Sequence, residues 1–195
     1  MSEKVVKGIH YAILTIIAIA FVLPLVWLIL ASLDTGANAT LKLPDSWTLD
    51  NFVGVLTDKA NLRAFGIGLA IAAIQSLMVV LVSGLAAYPL SRYNLRYKSG
   101  FLYGILFMTA LPMIAVVVPV YKMFSSMGIL DSIPGVILYL TASSLPYGIW
   151  LMKNFMDGVP KELEEAAWVD GATTMQSIRK IVAPLMFPGI CVVFI

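Results

Sequence analysis

Charged residues cluster along this chain, and uncharged, largely apolar stretches run between the clusters over 11–33, 64–91, 99–121, 132–152 and 181–195. The first four contain 23, 28, 23 and 21 residues. A membrane-spanning helix needs about 20 residues to cover roughly 30 Å of hydrocarbon, so each of the four is long enough to cross. The fifth contains 15, which at about 1.5 Å per residue reaches roughly 22 Å and ends inside the membrane. The pattern predicts an all-α fold, a polytopic transmembrane helical bundle. Its spans are placed over 10–33, 66–90, 101–124 and 133–153, with an incomplete one over 182–195. The chain is expected to stop within that fifth span. Lys4 and Lys7 ahead of the first run look like the start of a secretion signal, but the run exceeds the ~7–15 residues of such a signal's apolar core. It reads as an uncleaved span.

Composition points to the same class. The 195 residues are 60% hydrophobic and 12% charged, against about a quarter charged in soluble domains, and mean hydropathy is +0.92. The solvent of this chain is a lipid bilayer. A net charge of +2 with no basic stripe gives nucleic acid nothing to hold. Cys191 is the single cysteine, which excludes an intrachain disulfide framework and a cysteine-based metal cluster. The positions of the basic residues matter more than their sum, because Lys and Arg near span ends favour the cytoplasm. Lys4 and Lys7 precede the first span, and Arg92, Arg96 and Lys98 fill the link after the second. Two crossings separate these sites, so one topology makes both cytoplasmic, together with the N-terminus and residues 160–184. Residues 34–63 and 122–131 then face outward, with Pro44 and Asp45 marking a turn and Trp47 suited to the membrane interface.

Prolines and weakly polar residues interrupt the later spans. Pro112 and Pro119 remove backbone donors from the third and are expected to kink or break it, and Ser143, Ser144 and Pro146 sit in the fourth. Irregular backbone at membrane depth is tolerated where it is buried in protein or lines a water-filled cavity. Small and weakly polar residues also promote helix packing, and both explanations stand for these positions. Gln75 in the second span needs a partner for its amide, most simply a neighbouring helix. Gln75, Tyr139, Ser143 and Ser144 are the candidates for lining a pathway.

The chemistry that is missing narrows the function. No Asp, Glu, Lys, Arg or His lies in the core of any span, and His10 stands at the edge of the first. Ion-coupled pumps usually carry intramembrane ionisable groups that cost at least about 2.5–3.5 kcal/mol each, although a sodium site of carbonyls and hydroxyls needs none. Metal-ligand spacing, a nucleophile elbow and an acid–base pair are absent, so no catalytic residue and no metal are assigned. The phosphate-binding G-x-x-x-x-G-K-[ST] loop is absent too, and no cofactor is expected on this chain. Uphill transport would draw its energy from another polypeptide.

The densest charge stands in ELEEAAWVDGATTMQSIRKIVAP, residues 162–184. Pro160 suits the first turn of a helix, and Glu162, Glu164 and Glu165 then lie near the positive end of its dipole. A short helix is predicted over 161–169. Leu163, Ala166 and Ala167, at i, i+3 and i+4, give it one small apolar face. Gly171 supplies the left-handed residue that ends it, and Thr173 or Thr174 caps a second helix carrying Ile178, Ile181 and Val182 toward Pro184. By physics alone this is either a solvated connector or a compact knob for a groove on a partner.

The spacing of Glu165-Ala166-Ala167, three residues, Gly171, nine residues, then Ile181 and Pro184 resembles the signature loop of the permease subunits of binding-protein-dependent ABC importers. Ala183 stands where that pattern usually has leucine, a mild change at an apolar position. VPKELEEAAWVDGA, PLMFPG, AYPLSRYNLRYKSGF and LPMIAVVVPVYKMFSSMGILDS are similar to the carbohydrate branch, in permeases like those for maltose, other oligosaccharides or glycerol phosphate. The resemblance covers nearly the whole chain. It implies six spans with the signature loop between the fourth and fifth, so the sixth would be missing here.

The same resemblance implies a permease subunit that forms part of a pathway for a sugar or related solute. Its implied partners are a second permease subunit, two copies of an ATP-binding subunit that consume the ATP, and an extracytoplasmic solute-binding protein. The setting would be a bacterial or archaeal cell membrane, and this chain would not itself be an enzyme. Residues 160–184 would be the coupling loop that docks on the ATPase. Glu165 would make the charged contact, Ala166 and Ala167 would permit close approach, Gly171 would set the turn, and Ile181 with Pro184 would anchor the return to the membrane. Two alternatives remain at this stage. An ion-coupled secondary transporter would need inverted repeats and an ion site, and a non-transporting scaffold would leave the loop spacing unexplained.

Overall fold

A computed structural model describes residues 3–36, 38 and 42–195. The chain divides into two compact units, one up to Gly66 and one from Ile67 onward. In the first, α1 (Glu3–Ser32) runs as a single helix through Pro24. It is apolar on every side, with a mean hydropathy of 3.0 over its most apolar stretch, the pattern of a membrane span. Beyond it the chain folds back on itself. The Thr48 N–H donates to the Leu33 carbonyl at 2.9 Å, and the Asn51 side chain donates to the carbonyls of Ser32 and Asp34 at 3.1 and 3.0 Å. Asp34 is buried and pairs with Lys42 at 3.4 Å. The Gly36 N–H, followed by Lys42, holds its carboxyl below the usual carboxylate range. Trp47 bridges to Asp34 through the backbone while its ring stays exposed. A short helix, α2 (Asp50–Thr57), then occupies part of the segment that the sequence reads as an outward loop. Eight residues are too few for a periodic signal.

Helix α3 (Lys59–Arg92) begins in the first unit and forms the first element of the second. It starts earlier than the span predicted over 66–90, since Lys59 and Arg63 continue the helix beyond the apolar stretch. The next span, placed over 101–124 from sequence, is divided. Helices α4 (Lys98–Thr109) and α5 (Met113–Met127) meet at a bend of 94°. Pro112 lies at the joint with an extended backbone, φ −60° and ψ 130°. Its ring disfavours a helical conformation at Leu111, and it has no N–H with which to continue the ladder. Pro119 lies inside α5 without breaking it, and Pro146 lies within the continuous α6 (Ile133–Asp157). Gly128, at φ 69°, ends α5, and Ser132 caps α6 by accepting the Gly135 N–H at 3.1 Å.

After α6 come α7 (Glu162–Val169), α8 (Thr174–Leu185) and α9 (Phe187–Phe194). The partial span placed over 182–195 is not one helix, because α8 and α9 meet at 70° with Pro188 in the first turn of α9. Among the described residues α1, α3 and α6 are individually long and apolar enough to cross a membrane, and the two bent pairs would bring the number to five.

Close approach between helices is built on small residues, as is usual where lipid removes the hydrophobic drive for helix association. A Cβ added at Gly148 of α6 would lie 2.8 Å from Val79 Cγ1 of α3, and one at Gly189 of α9 would lie 2.5–2.9 Å from the Phe155 side chain. Two apolar clusters follow from these approaches. Ala87, Met152, Met156, Val159, Val182 and Met186 form one; Leu90, Ile105 and Ile149 form the other. Gly148→Ala is therefore expected to lower stability by about 1–3 kcal/mol through overpacking. Gly84→Ala in α3 has open space around it and is expected to be neutral or to stabilise by up to about 1 kcal/mol. Thermal unfolding of the two variants in detergent checks the contrast.

Candidate functional site

The segment from Pro160 to Pro184 begins where α6 ends and returns to the core at Val182. The N–H groups of Glu164 and Glu165 both bond the Lys161 carbonyl at 3.0 Å, and α7 starts at Glu162, one residue after the predicted 161. At its far end Gly171 takes φ 84°. The Gly171 N–H bonds the Trp168 carbonyl at 3.0 Å and the Ala172 N–H bonds the Ala167 carbonyl at 2.9 Å, which is a Schellman closure. An added Cβ at Gly171 meets nothing within 4 Å, so the demand there is on φ alone. Thr173, one of the two predicted caps, opens α8 with a reciprocal capping box. Its hydroxyl accepts the Gln176 N–H at 3.3 Å, and Gln176 Oε1 accepts the Thr173 N–H at 2.8 Å.

Within α8, residues Ile178–Val182 widen into a π-helical turn, with the Ala183 N–H reaching the Ile178 carbonyl. The widening precedes Pro184, whose ring crowds the carbonyl four residues back and whose nitrogen carries no donor. Val182 and Met186, at 1% and 3% exposure, enter the core. Ile181 is half-buried and Pro184 exposed. The return to the core is made by Val182, which the sequence reading placed on the second helix, and by Met186, which it did not single out.

The side of α7 turned to the core carries a charge. Leu163 and Ala166 are exposed, Ala167 is half-buried, and the buried residue is Glu164 at 1% exposure. Glu164 Oε1 accepts from Arg92 Nε at the end of α3, and Oε2 accepts from the Tyr88 hydroxyl at 3.0 Å. Arg92 Nη1 donates to the Met156 carbonyl and to Ser91 Oγ, each at 3.2 Å, while Nη2 finds no acceptor among the described residues. Ser91 Oγ donates to Asp157 at 2.6 Å, and Asp157 pairs with Lys153 at 2.5 Å. The sequence offers Arg92 only as a cytoplasmic marker and Glu164 only as a dipole-facing carboxylate. The available signal is spacing, since Tyr88 and Arg92 share one face of α3 and Glu164 shares a face of α7 with Ala167.

Outward, the segment presents Glu165, Ala166 and Gly171 together with apolar side chains. Leu163, Trp168, Val169 and Met175 are 43%, 44%, 88% and 69% exposed.

The pathway candidates fall into two places. Gln75 Nε2 donates to Ser144 Oγ at 3.3 Å, joining α3 to α6. Tyr139 and Ser143 instead line a cavity of about 850 Å³ between the α4–α5 bend and α6, with Thr109, Phe124 and Tyr147. The Ser143 hydroxyl donates to the Leu140 carbonyl of its own helix at 3.0 Å. The cavity is a mostly apolar groove with a few hydroxyls.

Residues 79–195 match the family described as the binding-protein-dependent transport system inner membrane component. The chain belongs to that family. The matched region contains α3 from Val79 onward, both bent pairs, α6 and α7, and hence the whole Arg92–Glu164 network. The trehalose transport system permease protein of Mycobacterium tuberculosis is 31% identical over 94% of this chain and 68% of its own length. The sulfoquinovosyl glycerol transport system permease protein of Agrobacterium fabrum is 30% identical over 94% of this chain and 66% of its own length. The chain thus spans about two thirds of the length of these curated relatives. Among solved structures, a bacterial ABC transporter involved in the import of the acidic polysaccharide alginate matches with a TM-score of 0.79. It is 23% identical, over 100% of this chain and 70% of that one, and shares the fold. This family member is an all-α, multi-pass membrane protein.

Removing one partner of a buried ion pair leaves an uncompensated charge. Glu164→Ala should therefore lower the stability of this permease-family chain by about 3–5 kcal/mol. Glu162→Ala, at an exposed position in the same turn, should cost no more than the about 0.3–1 kcal/mol of its dipole interaction. Thermal midpoints of the two purified variants give the comparison.

Proposed function

We propose that this protein is the membrane-spanning permease subunit of an ABC importer for a sugar or related solute, coupled to its ATPases through residues 160–184. One observation carries this reading. The spacing from Glu165-Ala166-Ala167 to Gly171 takes the form of two short helices joined by a Schellman turn, with Glu164 buried and with Leu163, Val169 and Met175 exposed among Glu162, Glu165 and Asp170. An exposed apolar surface on a polar segment is what a partner covers. Val169 and Met175 would supply contact area, Glu165 a charge for a cationic group, and Ala166 and Ala167 the room for close approach. Gly171 would keep the two helices at their angle. Ile181 and Pro184 would shape the widened turn that returns the chain to Val182.

In this reading the N-terminus and the loop lie on the cytoplasmic side, following Lys4, Lys7, Arg92, Arg96 and Lys98. Two ATP-binding subunits would press on this loop and on its counterpart in a second permease, opening the pathway alternately to each side. An extracytoplasmic solute-binding protein would deliver the solute. ATP would be consumed by the partner subunits, and this chain would hold no cofactor and perform no covalent chemistry. The sugar class is supported by relatives named for trehalose, diacetylchitobiose and maltodextrin transport. Tyr139 and Ser143 in the groove would offer a solute a ring face and a hydroxyl. Gln75 and Ser144 would brace α3 against α6 beside it.

Native mass spectrometry of the gently extracted complex tests the assignment, with a second permease and two copies of an ATP-binding protein as the expected companions. Val169→Asp should remove the ATP-binding subunits and leave the second permease attached. Loss of both from that variant, or their absence from the parent preparation, would count against the coupling role.

A further inference from the structure

The charges of a docking loop usually face outward, where a partner can meet them. Glu164 does the opposite, with a side chain 1% exposed against the 5% of Arg92. Both of its carboxylate oxygens are taken by α3, through Tyr88 and Arg92 one helical turn apart. Arg92 extends the link to α6 through the Met156 carbonyl and, by way of Ser91, to Asp157. A single guanidinium thus holds three elements: the end of α3, the end of α6 and the first turn of α7.

We propose that Arg92 and Glu164 are positioning residues whose ion pair sets the angle of α7 on the inner ends of α3 and α6, so that loop and helix ends move as one body. The choice of residue type argues for position over stability. Apolar side chains of similar volume commonly stabilise a buried site as well as an ion pair does, or better. What they lack is direction. A leucine packed in this place can slide along α3, whereas a planar guanidinium bonded to a carboxylate, a carbonyl and a hydroxyl admits one arrangement. The turn at Gly171 and the packing of α7 on α8 set the angle between those two helices, but toward α3 and α6 the other side chains of α7 offer little, because Leu163, Trp168 and Val169 are exposed and only Ala167 is half-buried beside Glu164. The importer assignment supplies what the outer side of α7 meets, and the proposal rests on it only for that purpose.

Pulsed electron paramagnetic resonance on the native complex in lipid nanodiscs tests this. Cys191→Ser removes the natural thiol, and spin labels go on Glu162→Cys in α7 and Val136→Cys in α6, both exposed. With the ion pair intact, a single narrow distance is expected, the same in the nucleotide-free complex and in the complex trapped with ATP and vanadate. Arg92→Met combined with Glu164→Leu should assemble with an unchanged thermal midpoint yet lose the single distance. Retention of the narrow distance in that paired variant would overturn the proposal, as would a nucleotide-dependent shift in the parent. Failure of the paired variant to assemble would also overturn it, by making the ion pair a requirement of folding. If no ATP-binding subunit accompanies the chain, the importer assignment falls separately, and the nucleotide-free distances still decide whether the ion pair holds α7.

Discussion

In hydrocarbon a backbone N–H without an acceptor costs several kcal/mol, because no water is present to take it. That single cost organises this chain. It forces α1, α3 and α6 to be continuous helices, and it makes every proline a place where the ladder must be repaired or restarted. At Pro24, Pro119 and Pro146 the helix absorbs the loss and continues. At Pro112 and Pro188 the chain bends and begins a new helix. The bend at Pro112 has a packing consequence, since α4 lies against α6 and brings Ile105 to Leu90 and Ile149.

Between helices the same solvent removes the usual drive for apolar association, because lipid tails are as apolar as leucine. Fit and polarity decide instead. Glycine at 148 and 189 lets α6 meet α3 and α9 closely, and Gln75 reaches Ser144 across the α3–α6 interface. Polarity increases toward the loop ends of these helices, from one amide–hydroxyl bond at Gln75 to the chain of groups from Lys153 through Asp157, Ser91 and Arg92 to Glu164. The membrane-depth part of the second unit is thus joined by shape, and its loop end by directional bonds.

The loop buries one charge and exposes several apolar side chains. Glu164 is the buried carboxylate, while Leu163, Val169 and Met175 are exposed among Glu162, Glu165 and Asp170. An isolated water-exposed segment gains nothing from that order, whereas one that sits on a partner does. The Schellman turn at Gly171 and the capping box at Thr173 satisfy the backbone groups locally, so the shape of the segment is set before any partner arrives.

Much of this was legible in the sequence because it depends on local or periodic constraints. The long helices α1, α3 and α6 follow approximately from runs of apolar residues, the break at Pro112 from a missing donor, the cap at Thr173 and the turn at Gly171 from residue type, and membership of the family from fixed spacing. Other features depend on which helices become neighbours, and no local pattern encodes that. The sequence marks Glu164 as one of three glutamates in a first turn, yet only packing against α3 separates it from Glu162 and Glu165 and buries it on Arg92. It offers Gln75, Tyr139, Ser143 and Ser144 alike as pathway candidates, and packing sends Ser144 to Gln75 and Tyr139 and Ser143 to the groove. Val182 and Met186 look like any apolar residues of an incomplete span until the π-turn before Pro184 rotates them into the core. Local hydrogen-bond geometry is written residue by residue, whereas the burial of a charge is a property of the surfaces that meet around it.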